Sequence, residues 1–199
     1  ITQTATGGTV VRVGAREVRI EAVDGERLAG TLFLPEPDVH GEGPYAALME
    51  ALPYRKDDVT SSYRATYERY AAAGFAVLRL DVRGTGSSSG VMTDEYPDIE
   101  RDDLRAAIRW LAAQPWSNGR VGMFGTSYSG FNSLQMACEG VPELGAVVAI
   151  YATDDRYTDD VHYSGGVLRA IDLIDYPLYM VAMNALPPVP AVYGDGWRD

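Results

Sequence analysis

From Tyr45 onward, short apolar runs alternate with stretches that carry apolar residues on one helical face. That alternation restricts the fold more than any other feature. "YAALMEALPY" (45–54) is nearly all apolar, the pattern of a strand covered on both faces. "TSSYRATYERYAAA" (60–73) predicts a helix, with Gly74 as its natural stop. "FAVLRLDV" (75–82) predicts a second such strand. "DIERDDLRAAIRWLAA" (98–113) gives the clearest helix, with Leu104, Ile108 and Leu111 on one face and acidic residues crowding the start, where the helix dipole favours them. "GRVGMFGTS" (119–127) predicts a strand that runs directly into a helix over 128–139, and "LGAVVAIYA" (144–152) a further strand. Strand alternating with helix implies an α/β fold, a mainly parallel sheet with helices on both faces.

Before Tyr45 the pattern differs. "EVRIEA" (17–22) alternates apolar and polar, and "LAGTLFLPE" (28–36) follows a strong Asp24-Gly25 turn signal. These two runs predict an antiparallel hairpin. The Pro and Gly of "PDVHGEGP" (37–44) and the glycines of "RGTGSSSG" (83–90) predict loops. After Ala152 the chain turns polar and aromatic ("TDDRYTDDVHYSGG"), then apolar and helical over 167–185. The expected division is residues 1–152 as the N-terminal part of the sheet core and 153–199 as the start of an inserted helical cap.

A chain of 199 residues is long enough for one domain with a real core. The net charge of -11 argues against nucleic acid as a partner, because phosphate binding needs clustered Lys and Arg. No apolar run approaches the ~20 residues that span a bilayer, so no membrane partner is expected. The single cysteine, Cys138, excludes an internal disulfide and permits a reducing, cytoplasmic setting. No Cys or His cluster has metal-ligand spacing. "RGTGSSSG" lacks the Lys-Ser/Thr pair of a phosphate cradle. Neither a metal nor a cofactor is expected.

The chemistry concentrates in "VGMFGTSYSG" (121–130). A strand that passes directly into a helix forces its apex residue into a strained backbone conformation, tolerable only among small neighbours. Gly125, Ser129 and Gly130 are such neighbours. The turn lifts the side chain of Ser127 off the sheet and sets it at a helix N-terminus, where free N–H groups stabilise an oxyanion. This is the logic of the α/β-hydrolase nucleophile elbow, G-x-S-x-G, except that Ser129 stands where the second glycine is usual and Gly130 comes one later. The alternative is a tight turn in which Ser127 only caps the helix. A hydrolase also needs oxyanion donors: the backbone N–H of the residue after the nucleophile, here Tyr128, and a group from the loop after the third strand, here "LPYRKDD" (52–58), where the Tyr54 phenol is the candidate. An ordinary half-buried tyrosine is the alternative for Tyr54.

"LPYRKDD", "LDVRGTGSSSG", "WLAAQPWSNGRVGMFGTSYSG" and "TDDRYTDDVHYSGG", in that order, resemble the cocaine esterase/X-Pro dipeptidyl-peptidase (CocE/NonD) family of serine hydrolases, with its α-amino acid ester hydrolase relatives. The resemblance runs from "VDGERLAGTLFLPE" to "HYSGG". It implies an α/β-hydrolase core, a helical cap inserted after the sixth strand and a C-terminal jelly roll. It implies Ser127 as the acylated nucleophile, the Tyr54 phenol and the Tyr128 backbone N–H as oxyanion donors, and an ester, amide or short peptide as substrate.

The base is the gap. A hydrolase triad follows the order Ser, acid, His. His40 precedes the serine. His162 follows it, but the resemblance puts it at the opening of the cap, in a structural or substrate-lining role. Asp159 and Asp160 are candidates to line the acyl pocket and attract a substrate amine, with a solvated acidic loop as the alternative. Asp154 and Asp155 follow the 144–152 strand, where some hydrolases carry their acid, yet the resemblance places acid and histidine after the cap. The expectation is therefore an N-terminal part of a larger enzyme, incomplete and inactive alone, whose partner is the remainder of that enzyme. Three functional readings stay open: an esterase or acylase, an X-Pro dipeptidyl aminopeptidase, and a non-catalytic hydrolase-like binding domain.

Overall fold

The computed structural model describes residues 13–170 and 172–195. Residues 1–12, Ile171 and 196–199, where both predicted segments have their outer ends, lie outside the described residues. Strands β1 (Gly14–Glu21) and β2 (Arg27–Leu34) form the expected antiparallel hairpin, with Glu21 opposite Arg27 and Gly14 opposite Leu34. Gly25 closes its turn at φ 90°, a conformation that costs a glycine nothing. The 37–44 segment is not all loop: Pro37 starts a single-turn helix, α1 (Pro37–His40), because proline at the first helical position is already set for it. Then follow β3 (Tyr45–Leu52), a 3₁₀ turn at Ser61–Tyr63, α2 (Arg64–Ala72), β4 (Ala76–Asp81), α3 (Asp98–Ala112), β5 (Ser117–Thr126), α4 (Tyr128–Cys138) and β6 (Leu144–Ile150).

The six strands form one sheet in the order β1-β2-β4-β3-β5-β6. The hairpin joins antiparallel to β4, and every further pair is parallel. Neighbouring residues on a strand face opposite sides, so the sheet has two cores. On one side Phe33 and Val77 pack with Tyr67 and Ala71 of α2. On the other, Leu32, Met49, Leu80 and Met123 pack with Leu104, Ile108 and Leu111 of α3 and Met136 of α4. The fold is the mainly parallel α/β sheet with helices on both faces.

Beyond β6 the sequence reading needs one correction. The apolar stretch from residue 167 does not begin as a helix. Gly165 and Gly166 take φ 56° and 78° and turn the chain into a small hairpin, β7 (Tyr163–Ser164) against β8 (Val167–Leu168). The helix starts later, as α5 (Asp172–Asn184), and a single turn, α6 (Pro190–Tyr193), follows. No helix among the described residues is long and apolar enough to cross a membrane.

The 83–90 loop is tied to the sheet end by Asp81 and Arg83. Asp81 accepts the N–H groups of Lys56 (2.8 Å) and Ser87 (3.1 Å), and Ser88 Oγ donates to its carbonyl (2.6 Å). Complete burial pushes the Asp81 carboxyl up to about 7 against the pull of those donors. Arg83 lies between Asp103 (2.7 Å) and Asp24 (2.8 Å); its side chain is 7% exposed and that of Asp103 2%. Removing the cation strands a buried carboxylate. Arg83→Met is therefore expected to lower stability by about 3–5 kcal/mol, read as the urea unfolding midpoint, and a second change, Asp103→Leu, to restore most of the loss.

Candidate active site

Between β5 and α4 there is one residue, Ser127. Its backbone sits at φ 60°, ψ -120°, a left-handed conformation that costs a non-glycine residue about 1–3 kcal/mol. Hydrogen bonds on both sides hold it: Ser127 N–H donates to Ile150 O (2.8 Å), and Phe131 N–H donates to Ser127 O (2.9 Å). Its small neighbours are sterically required. A Cβ on Gly125 would lie 2.3 Å from Ser129 Oγ, and one on Gly130 would lie 2.9 Å from Ile150 O. The second glycine of the usual motif is not needed here, because Ser129 turns into the space that Gly125 leaves empty. The side chain of Ser127 is half-buried and lines a cleft of about 370 Å³.

Tyr128 opens α4, so its N–H is among the first four of the helix, which have no intrahelical partner. Its ring is buried and stacks on Tyr96, centroids 4.1 Å apart. Its hydroxyl donates to Glu100 Oε2 (2.9 Å) and accepts the Tyr96 N–H (3.1 Å). Tyr54 follows the end of β3, half-buried, its ring edge-on to Tyr128 with centroids 6.5 Å apart. The two tyrosines singled out from the sequence are therefore neighbours at the end of the sheet that carries Ser127. Burial, and then the nearby Tyr54, hold the Tyr176 hydroxyl of α5 above the ordinary phenol value.

The other candidates separate. His162 lines the cleft, with Nε2 3.3 Å from Glu95 Oε2 and its ring 5.8 Å from that of Tyr176. Among the described residues it makes no hydrogen bond to Ser127. Asp160 is buried and paired with Arg156 Nε (3.1 Å), and Asp159 is exposed beside a bridge to Ser164. The carboxylates on the cleft wall are Glu95, Asp172 and Asp175. Arg156 spreads over the rings of Tyr96 and Phe131, 4.7 and 4.4 Å from their centroids. Asp155 is spent on a turn: its carboxylate accepts the Thr158 hydroxyl and the N–H groups of Thr158 and Tyr157, which hold it below its usual value. His40 is remote, its Nε2 3.0 Å from the Ala72 carbonyl at the end of α2. Among the described residues no group of three or more His, Cys, Asp or Glu is placed to hold a metal ion.

Sequence reasoning missed Glu50, Glu95, Tyr96, Glu100, Arg156 and Tyr176. Glu50 had a visible signal, a lone carboxylate in an otherwise apolar strand run. Glu95, Tyr96, Arg156 and Tyr176 come to the cleft through folding of loops and of α5, and Glu100 lies under it at the start of α3.

A six-stranded sheet in this order, with a strained serine between strand and helix at its parallel end, defines an α/β-hydrolase fold. The chain matches the X-Pro dipeptidyl-peptidase (S15) family over residues 24–198 and belongs to it. It is similar to the cocaine esterase of Rhodococcus sp. (strain MB1 Bresler), 33% identical over 164 residues, 81% of this chain and 28% of that one. It is also similar to the Xaa-Pro dipeptidyl-peptidase of Lactobacillus helveticus, 29% identical over 140 residues, 63% of this chain and 17% of that one. The chain thus spans under a third of the length of either relative. A crystal structure of a CocE/NonD family hydrolase from Staphylococcus aureus superposes with a TM-score of 0.74 at 20% identity, over 100% of this chain and 43% of that one, and shares the fold.

Glu100 lies beneath this site, 2% exposed. Burial pushes its carboxyl up to about 7, against the hydrogen bond from Tyr128. The sign follows: between pH 4.5 and 7 the unfolded chain releases this proton and the folded one keeps it, so the group costs stability as pH rises and the full cost remains above 7. Glu100→Gln is expected to gain stability relative to the parent over that range, by up to about 3 kcal/mol at pH 8 and by none at pH 4. Chemical unfolding at the two pH values checks it.

Proposed function

We propose that this chain carries the nucleophile and oxyanion donors of a serine hydrolase that cleaves an ester or amide through an acyl-enzyme on Ser127. The observation that carries the reading is the left-handed backbone of Ser127 on the wall of a cleft, between β5 and α4, in a chain of the S15 family. The Ser127 hydroxyl attacks the substrate carbonyl, and its proton passes to a general base. The oxyanion that forms takes hydrogen bonds from the Tyr128 N–H and the Tyr54 phenol. The base then protonates the leaving alcohol or amine, and water releases the acyl group. Since His162 makes no hydrogen bond to Ser127 and its carboxylate partner, Glu95, precedes the serine in the chain, we assign the base to a histidine in the part of such an enzyme that this chain does not span, in the order Ser, acid, His. Residues 153–199 are then the start of a cap over the cleft, with His162 in its lining, and Asp160 acts on the cleft through Arg156.

Between the enzymatic readings, the esterase is favoured by the fuller match, 81% of this chain against 63% for the peptidase. The free, exposed thiol of Cys138 agrees with a cytoplasmic location. A fluorophosphonate probe applied to the protein in its full natural length, with the adduct located by mass spectrometry, tests the reading. Label on Ser127 that Ser127→Ala abolishes, with Tyr54→Phe lowering kcat on a p-nitrophenyl ester by about 10²–10³-fold, is the expected result. No label and no ester turnover by the intact protein leaves a non-catalytic binding domain. Release of X-Pro dipeptides in preference to ester cleavage makes it the peptidase.

A further inference from the structure

Strand β3 reads YAALMEAL, apolar except for Glu50. Glu50 is half-buried in a strand flanked on both sides by other strands, and even partial burial of an unpaired charge is costly. It has two partners, one from α2 and one from α4. The Tyr67 hydroxyl of α2 donates to Oε2, and Ser129 Oγ of α4 donates to Oε1 at 2.8 Å. Ser129 is 1% exposed, and its oxygen also accepts the Thr126 N–H at 3.0 Å. One hydroxyl thus straddles the nucleophile: it belongs to the residue two after Ser127 and binds the backbone of the residue before it. The Thr126 carbonyl is a longer alternative acceptor, at 3.1 Å. The carboxylate is the stronger one, since a charged acceptor about doubles a hydrogen bond.

Glu50 lies four residues before Tyr54 on the same chain segment. The Glu50–Ser129 bond therefore joins the strand that leads to one oxyanion donor with the turn that holds the nucleophile. A second link, Asn132 Nδ2 to Ala51 O, is long, at 3.5 Å. Ser129 stands where the general elbow motif has its second glycine, so this chain holds there a hydroxyl that meets Glu50.

We propose that Glu50 and Ser129 form a positioning pair whose hydrogen bond fixes the Ser127 turn against the Tyr54 strand, and that the pair governs the rate of acylation and not the affinity for substrate. This rests on Ser127 being the nucleophile. Neither residue lines the cleft, and neither touches the reacting atoms.

The test is a double-mutant cycle in the full-length protein, with the acylation rate constant and ester dissociation constant from the p-nitrophenol burst and the fluorophosphonate labelling rate at Ser127 as readouts. Glu50→Ala and Ser129→Ala are each expected to lower the acylation rate constant and the labelling rate by about 10- to 100-fold, the scale of a small misplacement of a reacting group, with the dissociation constant within about twofold. The double variant is expected to be no slower than the slower single one, because both remove the same bond. Glu50→Gln, which keeps a carbonyl acceptor for Ser129, is expected to stay within about threefold of the parent. Ser129→Gly, which keeps the usual elbow sterics, is expected to show the same loss as Ser129→Ala and serves if the alanine variants fold poorly. Independent, multiplying losses in the double variant, a change confined to the dissociation constant of the ester, or parental rates in Ser129→Gly would overturn the pair while leaving Ser127 as nucleophile. Absence of label on the unmodified protein would overturn the nucleophile itself and this inference with it.

Discussion

The backbone of Ser127 is the constraint on which the surrounding structure depends. A non-glycine residue at φ 60° persists only where its surroundings over-determine it. Here three separate elements do so. Strand β6 supplies the Ile150 carbonyl to the Ser127 N–H. Helix α4 supplies Ser129, which fills the void beside Gly125, and Gly130, pressed against β6. Strand β3 supplies Glu50 as the acceptor for Ser129. A change in the spacing of these elements would release the strain by turning the serine back toward the sheet. The cost of the strained turn is thus offset by packing that also orders the end of the sheet.

A second feature of this end of the sheet is its buried charge. Lys56 is fully buried, with Nζ 2.7 Å from both Glu17 and Asp57 and 3.0 Å from the Tyr193 hydroxyl. Arg55, at φ 58°, sends its guanidinium to the carbonyls of Leu186 (2.9 Å) and Pro187 (2.7 Å). Arg79 donates to Lys56 O (2.9 Å) and Thr60 O (2.8 Å). Buried ion pairs contribute little net stability, because desolvation offsets the attraction. Their effect here is directional. An apolar contact would let the 53–60 loop slide, whereas forked donors on named carbonyls fix it in one place. The two residues that follow Tyr54 in sequence bind the segment after α5, so the tyrosine's backbone is held between the sheet and the chain that crosses above it.

The fold was largely legible in the sequence because its elements announce themselves locally. The Asp24-Gly25 turn, the apolar strand runs and the Leu104–Ile108–Leu111 stripe are all short-range signals, and each element appears within a few residues of its expected place. The turn at Ser127 was legible for the same reason: strand, small residues and helix are contiguous. The β7–β8 hairpin is not legible locally, because Gly165-Gly166 continues the polar stretch before it and strands of two residues carry no period. The cleft walls were harder. Glu95 and Tyr96 reach the site because Tyr96, at φ 55°, bends its loop over Tyr128, and no local pattern encodes that bend. Asp160 was singled out as an acidic neighbour of His162, but whether such a carboxylate faces solvent or an arginine depends on Arg156, four residues earlier, and on the turn between them.

Strand order explains why residues so far apart in sequence meet. Strands β3 and β5 are neighbours and parallel, with Met49 opposite Met123. Each runs three residues further, to Leu52 and to Thr126, so both stop at the same level of the sheet. Tyr54 and Ser127 emerge just past those ends. Strand β6 continues the register, with Ile150 opposite Thr126, which sets its carbonyl beside the N–H of the next residue, Ser127. An antiparallel β3–β5 pair would send the phenol and the hydroxyl to opposite ends of the sheet, whatever their sequence context. The parallel arrangement follows from the helical crossovers, which return the chain to the same end of the sheet before each new strand. In this chain, the gathering of polar side chains at the sheet end is a consequence of topology first and of residue identity second: the alternation brings three strand ends together, and Gly125, Ser127, Ser129 and Glu50 occupy the meeting point.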